Sequence, residues 1–419
     1  MYFSINFWYL KLFYSTGIYL ASFFIKLIAL FNPKLKKGVV GRKETFNKLK
    51  NEIKPSDKTF WFHCASLGEY EQGLPVFEGL KLKYPNYKVV ISFFSPSGYE
   101  VRKNTKIADV VVYLPLDTRR NARRLLDLLN PNYIVFVKYE IWPNLLLEIK
   151  KRNLKCILIS AVFRKDQRFF KWYGRLTKSA LFAFNHIFTQ DENSKKLLYK
   201  IGLNAVTVSG DTRFDRVSNQ LSINNSVPFI SSFKGDKLCM VFGSTWPEDD
   251  KLFIDYINKA DETIKFIIAP HEIKTSYIES LQSQLKVKTV CFSNMANKDL
   301  STYSVFILDT IGYLSKVYSY ADIAYVGGAA GSTGLHNVLE PAVFGMPILI
   351  GENYKKFPEA KLLINNGGIT SVASKATLET ALDLLINNRN NRIKQGSINK
   401  AFIDKNRGAV IQILDYLRI

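Results

Sequence analysis

Histidine and cysteine are both scarce in this chain of 419 residues, with four of each. Cys64, Cys156, Cys239 and Cys291 stand far apart, and none belongs to a CxxC pair. Three of them sit in apolar, strand-like runs. This excludes a disulfide framework and points to buried, reduced thiols in a cytosolic compartment. No histidine is spaced as a metal ligand, so neither a protein-built metal centre nor a cofactor is expected. Acids are also in deficit, with 36 Asp plus Glu against 58 Lys plus Arg, a formal charge of +22. That excess implies an anionic partner: nucleic acid, an anionic membrane surface or a phosphorylated substrate. No recognisable nucleic-acid module, internal repeat or low-complexity tract is present, which weighs against nucleic acid.

What is present begins at the N-terminus. MYFSINFWYLKLFYSTGIYLASFFIKLIALF is apolar and aromatic, broken only by Lys11 and Lys26. A helix needs roughly 20 apolar residues to cross a bilayer, and this stretch has the length. It lacks the small-residue cleavage site of a secretory signal, so it reads as an uncleaved anchor. Lys34, Lys36, Lys37, Arg42 and Lys43 follow, and such a cluster belongs on the cytoplasmic side. Both internal lysines can snorkel, so spanning and interfacial placements stay open. The expected location is a membrane, with the body on its cytoplasmic face.

After residue 58, short β-branched or aromatic runs alternate with amphipathic stretches such as TRRNARRLLDLL, the pattern of parallel sheets covered on both faces. A Ser/Asn-rich segment at 218–237 reads as a linker, after which the alternation restarts. The expected organisation is an anchor over 1–32, a doubly wound domain over 33–217, the linker, and a second such domain over 238–400. A C-terminal helical segment over 401–419 would pack back on the first domain. Ligands should bind at the carboxyl ends of the strands, in a cleft between two such domains.

Two stretches carry chemistry. In TFWFHCASLGE a strand-like run stops at small residues and Glu69 follows. This acid is either the first-turn acid of a helix or a base at the mouth of a cleft. In YADIAYVGGAAGSTGLHNVLEPAVFGMPILIG, residues 320–351, a strand enters a glycine-rich loop and then a helix opening near His336-Asn337. Glycines such as Gly328 let backbone approach a ligand closely, and free N–H groups at a helix start suit a phosphate. The spacing is not that of the dinucleotide fingerprint.

Together these motifs resemble the 3-deoxy-D-manno-octulosonic acid (Kdo) transferases. HCASLGE (63–69), FFSPSGYE (93–100), EIWPN (140–144), SGDTRFD (209–215), FGSTWPEDD (242–250), DTIGYL (309–314) and HNVLEP (336–341) occur in the family's order. The resemblance implies a GT-B fold of two Rossmann-like domains, the first for the acceptor and the second for the nucleotide sugar. It implies inverting transfer of Kdo from CMP-Kdo to the lipid A precursor (lipid IVA), without a protein-bound metal. Glu69 would be the general base, with Glu140 and Arg213 supporting the transition state. CMP would contact Pro270, His271, Ile311, Gly312, Tyr313, Asn337, Val338, Leu339 and Glu340. Ser244 is either a phosphate ligand or a plain helix cap before WPEDD. Two departures stand out. Lys138 replaces an acid usual in the family, and APHE lacks an Arg beside its His, leaving the phosphate more to backbone groups and Arg213. Clustered cations at 102–106, 119–124 and 164–178 suit a phosphorylated lipid and anionic headgroups. The competing readings are a GT-B glycosyltransferase using a UDP-sugar and a basic nucleic-acid-binding protein.

Overall fold

Seven apolar runs in the first half of the chain pair into one parallel sheet. They are Thr59–Cys64 (β1), Lys88–Phe93 (β2), Val110–Tyr113 (β3), Tyr133–Val137 (β4), Cys156–Ala161 (β5), His186–Thr189 (β6) and Val206–Val208 (β7). Their order is β3-β2-β1-β4-β5-β6-β7. β1 is buried at every position, which is why its hydrophobicity is continuous rather than alternating. The helix Arg119–Leu129 shows the complementary pattern. Thr118 caps it by accepting from the Asn121 N–H at 3.2 Å, and Ala122, Leu125, Leu126 and Leu129 form its buried stripe.

Seven further strands build a second parallel sheet: Leu238–Thr245 (β8), Ile264–Pro270 (β9), Thr289–Cys291 (β10), Val305–Ile307 (β11), Ile323–Val326 (β12), Ile348–Gly351 (β13) and Ile369–Val372 (β14). Their order is β10-β11-β9-β8-β12-β13-β14. Both sheets are therefore doubly wound α/β layers. The order in which strands are added reverses between β1 and β4 in one sheet and between β8 and β12 in the other. At such switch points the loops part and leave a crevice for ligands.

This computed structural model describes residues 2–418, with side chains from Phe7 to Arg418. The chain divides into two units, Met1–Arg216 with Arg407–Ile419, and Val217–Asn406. Ala409–Tyr416 is a helix of the first unit, where Ile413 and Leu417 share a core with Phe60, Phe62 and Phe77. The segment 218–237, read as a linker, holds the helix Pro228–Lys234, whose Ile230 and Phe233 are fully buried. Proline at its first position and an apolar pair three residues apart explain that helix.

Two helices precede β1. Tyr2–Ile28 (α1) is long and apolar enough to cross a membrane, and most of its large side chains face outward, with Phe13 72% and Phe24 56% exposed. Pro33–Glu52 (α2) starts at Asn32, whose side chain accepts from the Leu35 N–H at 3.1 Å. α2 lies on β3 at close range: a Cβ on Gly41 would come within 2.2 Å of the Tyr113 ring. Thr45 Oγ1 adds a bond of 2.8 Å to the Tyr113 carbonyl. α1 is fastened to the same unit through Tyr14, whose hydroxyl donates to Asp117 at 2.8 Å.

Candidate active site and nucleotide site

Glu69 stands in the first turn of the helix Leu67–Lys83 (α3), at the carboxyl end of β1. The backbone N–H of Ala65 donates to its carboxylate. The bland expectation, a helix-start acid, is therefore met in its geometry, but the electrostatics add more. Glu69 is 7% exposed, and burial, reinforced by the negative charge of Glu140, pushes its pKa up to about 7. The Ala65 N–H and the Lys138 cation pull the other way. A carboxyl poised near neutrality is the property a general base requires.

The neighbouring charges arrive from across the switch point. β4 ends at Val137, and the loop after it carries Lys138, Glu140 and Trp142. Glu140 is held by the Trp142 indole N–H at 2.9 Å and by His63 Nε2 at 3.3 Å. His63 is wholly buried in β1, and its Nδ1 meets the Ser92 hydroxyl at 2.9 Å. The sequence reading did not single out His63 or Trp142. Only the pairing of β1 with β4, Phe62 opposite Val135 and His63 opposite Phe136, brings them to Glu140. Lys138 adopts φ +72°, a left-handed conformation that a non-glycine residue holds only when its surroundings require it.

Arg213 belongs to the same unit. Its Nε donates to Asp211 at 2.8 Å, and Asp211 also accepts from Gln72 at 3.3 Å, one turn along α3 from Glu69. Thus Glu69, Glu140 and Arg213 are tied to α3 or to the β1–β4 rim.

In the second unit, the residues expected to bind a nucleotide fall on the carboxyl edge of the sheet. Ser244 lies at a bulge within β8 with φ +56°, and Trp246, not Ser244, occupies the cap position of the helix Pro247–Lys259. The plain-cap reading of Ser244 is thereby overturned: the strand continues one residue past it. Pro270 ends β9, and the His271 ring stacks on Trp246 at 4.8 Å and on His336 at 4.3 Å. Burial and the adjacent His271 push His336 down to about 4, so it stays a neutral partner for the Trp246 indole N–H at 3.0 Å.

The glycine-rich loop after β12 turns at Gly328 (φ +93°), where a Cβ would strike the Gly334 carbonyl. The loop is organised by Asp249, which is fully buried. Its carboxylate accepts from the N–H groups of Gly328 at 2.8 Å and Trp246 at 2.9 Å, and from the Tyr325 hydroxyl at 2.8 Å. The helix expected to open near His336 is a single turn, Leu339–Ala342. Asn337 joins it by donating to Glu340 at 3.0 Å and accepting from the Leu339 N–H at 3.2 Å. Val338 and Leu339 have buried side chains, so only their backbone is available to a ligand. Ile311 is 87% exposed, Gly312 has φ +95°, and the Tyr313 ring packs on Phe229 and Phe292. Among the described residues, no group of three or more His, Cys, Asp or Glu side chains is placed to hold a metal ion.

Two doubly wound sheets, one with a buried carboxyl at its switch point and the other with a glycine-rich loop at its own, make up a GT-B fold. The two-domain architecture matches that of UDP-GlcNAc 2-epimerase from Neisseria meningitidis, with a TM-score of 0.61 over 86% of this chain and 99% of that one. At 18% identity this likeness shows the fold alone. Residues 41–216 match the family model described as 3-deoxy-D-manno-octulosonic-acid transferase. The chain is 26% identical to the 3-deoxy-D-manno-octulosonic acid transferase of Haemophilus influenzae, over 94% of both proteins. It is likewise 26% identical to that of Rickettsia felis, over 82% of this chain and 75% of the relative. The first unit thus carries the Kdo transferase domain over residues 41–216, and the relatives that match nearly the whole chain are Kdo transferases.

Proposed function

We propose that this enzyme transfers Kdo from CMP-Kdo to the phosphorylated lipid A precursor, lipid IVA, with inversion, at the cytoplasmic face of the inner membrane. The observation that carries the reading is Glu69: a buried carboxyl with its pKa near 7 at the sheet's switch point. The acceptor hydroxyl oxygen forms a bond to the anomeric carbon of Kdo as its proton passes to Glu69. The bond from that carbon to the CMP phosphate oxygen breaks, and its electron pair leaves with CMP. Glu140 keeps negative charge near Glu69 and so favours its protonated form after the transfer. Arg213 supplies positive charge toward the phosphate as it departs. The backbone of the glycine-rich loop, Ser244 and the 337–340 turn hold the nucleotide. Pro270, His271 and the 311–313 segment complete that site.

The test is Kdo transfer to tetraacylated lipid A precursor with CMP-Kdo regenerated in situ, together with thermal stabilisation by nucleotides. CMP is expected to raise the melting temperature and UDP is not. Stabilisation by UDP alone, with no Kdo transfer, would move the assignment to a UDP-sugar enzyme.

Lys138 yields a sharper expectation. Its cation holds the Glu69 pKa down, so Lys138→Met raises that pKa further. The base works deprotonated, so the acid limb of the kcat/KM profile should move to higher pH, with little change on the plateau. A limb that stays in place, or moves to lower pH, would remove Lys138 from the electrostatics of the base.

A further inference from the structure

A line of buried hydrogen bonds runs through the core of the first unit and ends beside Glu69. It begins at Trp61 in the middle of β1, whose indole N–H donates to the Ser92 hydroxyl of β2 at 2.8 Å. Ser92 Oγ lies 2.9 Å from Nδ1 of His63, and His63 Nε2 lies 3.3 Å from Glu140 Oε2. Trp61, His63 and Ser92 are fully buried, and the Phe136 ring packs on the imidazole at 5.1 Å. The protein alone therefore places the protons along this line.

Donor and acceptor capacity fixes their direction. An indole nitrogen only donates, so Ser92 Oγ accepts from Trp61. Among the described residues, the Ser92 hydroxyl proton then has one acceptor, Nδ1 of His63. Nδ1 must offer a lone pair, which puts the single proton of a neutral imidazole on Nε2. The competing arrangement, a protonated Nδ1 donating to the Ser92 carbonyl at 3.1 Å, would strand the buried hydroxyl proton. The far end agrees. The Trp142 N–H is 2.9 Å from Glu140 Oε2 and 3.3 Å from His63 Nε2, and the charge-assisted bond takes the shorter path. Nε2 thus brings a proton of its own to the carboxylate. Every bond from Trp61 onward points toward Glu140, and bonds in such a chain strengthen one another. Glu140 in turn is one of the charges acting on Glu69. The other titratable or charged groups around the two acids are Lys138 on the Glu140 loop, Cys64 at the end of β1 and Glu71 on α3. Burial keeps the Cys64 thiol neutral, and Glu71 is paired with Arg102 and Arg216.

We propose that His63 is a positioning residue for the base: Ser92 holds its imidazole neutral with the proton on Nε2, and that N–H fixes Glu140 as the carboxylate beside Glu69. This rests on the reading of Glu69 as the base of the transfer. It adds how the field on that base is set from inside the sheet. Without the Ser92 hydroxyl, an imidazolium satisfies both the carbonyl of residue 92, through Nδ1, and Glu140, through Nε2. Its positive charge then offsets that of Glu140, so Glu69 titrates at lower pH.

The test uses the full chain in detergent, isotope-labelled at the histidine ring nitrogens and the glutamate carboxyl carbons. NMR reads the His63 tautomer and the Glu69 titration directly, beside the pH profile of kcat/KM for Kdo transfer. Signals are assigned with His63→Gln and Glu69→Gln. In wild type at neutral pH, His63 should carry one proton, on Nε2. In Ser92→Ala both ring nitrogens should be protonated, with Glu69 titrating about one pH unit lower and the acid limb of kcat/KM following it. His63→Gln keeps a neutral N–H donor toward Glu140, so the Glu69 titration should stay near its wild-type position. The double variant Ser92→Ala/His63→Gln cannot form an imidazolium and should lose the shift. A wild-type His63 protonated on Nδ1, or on both nitrogens, would overturn the proposal, and that reading stands even if Ser92→Ala does not fold. So would a Glu69 titration unmoved in Ser92→Ala, or a shift that persists in the double variant, because packing around Trp61 would then be its cause. The expected tautomer and titrations in a protein that transfers no Kdo would refute the transfer reading and keep His63 as the residue that holds Glu140.

Discussion

Glu69→Gln should abolish Kdo transfer and, at the same time, make the protein harder to unfold at alkaline pH. A positioned general base contributes about 100- to 10,000-fold, and the amide cannot take the proton, so a loss of that size is expected at every pH. The stability effect follows from the same burial. The carboxyl is raised from 4.5 to about 7, so the folded state keeps a proton that the unfolded chain releases. Between those values folding stability falls as pH rises, and above pH 7 the full penalty applies. At about 1.4 kcal/mol per pKa unit, the penalty is on the order of 3 kcal/mol. The amide avoids it while still accepting from the Ala65 N–H. Melting curves at pH 8 should place the variant several degrees above wild type, and the difference should vanish by pH 4. A variant no more stable than wild type at pH 8 would contradict the assignment of stored electrostatic strain to this residue.

The second large effect is expected at Asp249→Ala. Removing this buried carboxylate strands the N–H groups of Gly328 and Trp246 and the hydroxyl of Tyr325, all within 2.9 Å of it. Leaving several buried donors unpaired costs about 4 kcal/mol in total, even after partial relaxation. The glycine-rich loop loses the acceptor that fixes its shape, so CMP should no longer stabilise the protein, whereas the Glu69 site of the first unit stays folded. Urea unfolding followed by two probes, one per unit, together with CMP titration, checks both parts. Native CMP affinity in the variant would mean that the loop is shaped by something else. Asp249→Asn separates charge from geometry, because its NH₂ would face a backbone N–H and only part of the network could be kept.

The order of elements was largely written in the sequence, and the reasons differ by element. Long apolar runs such as TFWFHC and KFIIAP can only be interior strands of a covered sheet, and they are. β14, the sequence ITSV, escaped because it is a four-residue edge strand with two polar positions. The C-terminal stretch, helical in composition, breaks at Gly408, which takes φ +114° while its N–H meets Asp215. No local pattern signals that contact across 193 residues. Glu69 could be singled out from its motif. Its partners could not, because His63 and Glu140 lie 77 residues apart and meet only when β1 pairs with β4. Asp249 was hidden for a related reason: in WPEDD three acids follow one another, and only the fold decides that Asp249 and Asp250 turn inward and that Asp249 meets the glycine-rich loop.

The bond from Tyr14 to Asp117 fixes α1 to the folded body at one point along its length. Tyr14 lies near the midpoint of a helix running from Tyr2 to Ile28. At 1.5 Å per residue the two arms on either side of it measure about 18 and 21 Å. Each is shorter than the roughly 30 Å of hydrocarbon a spanning helix must cross. With its waist clasped to the folded body, the helix offers no free stretch on either side of Tyr14 that is long enough for such a crossing. Asp117 also receives the N–H groups of Asn144 and Leu145, four and five residues beyond Glu140. The position of α1 is thus coupled, through one carboxylate, to the helix that follows the Glu140 loop.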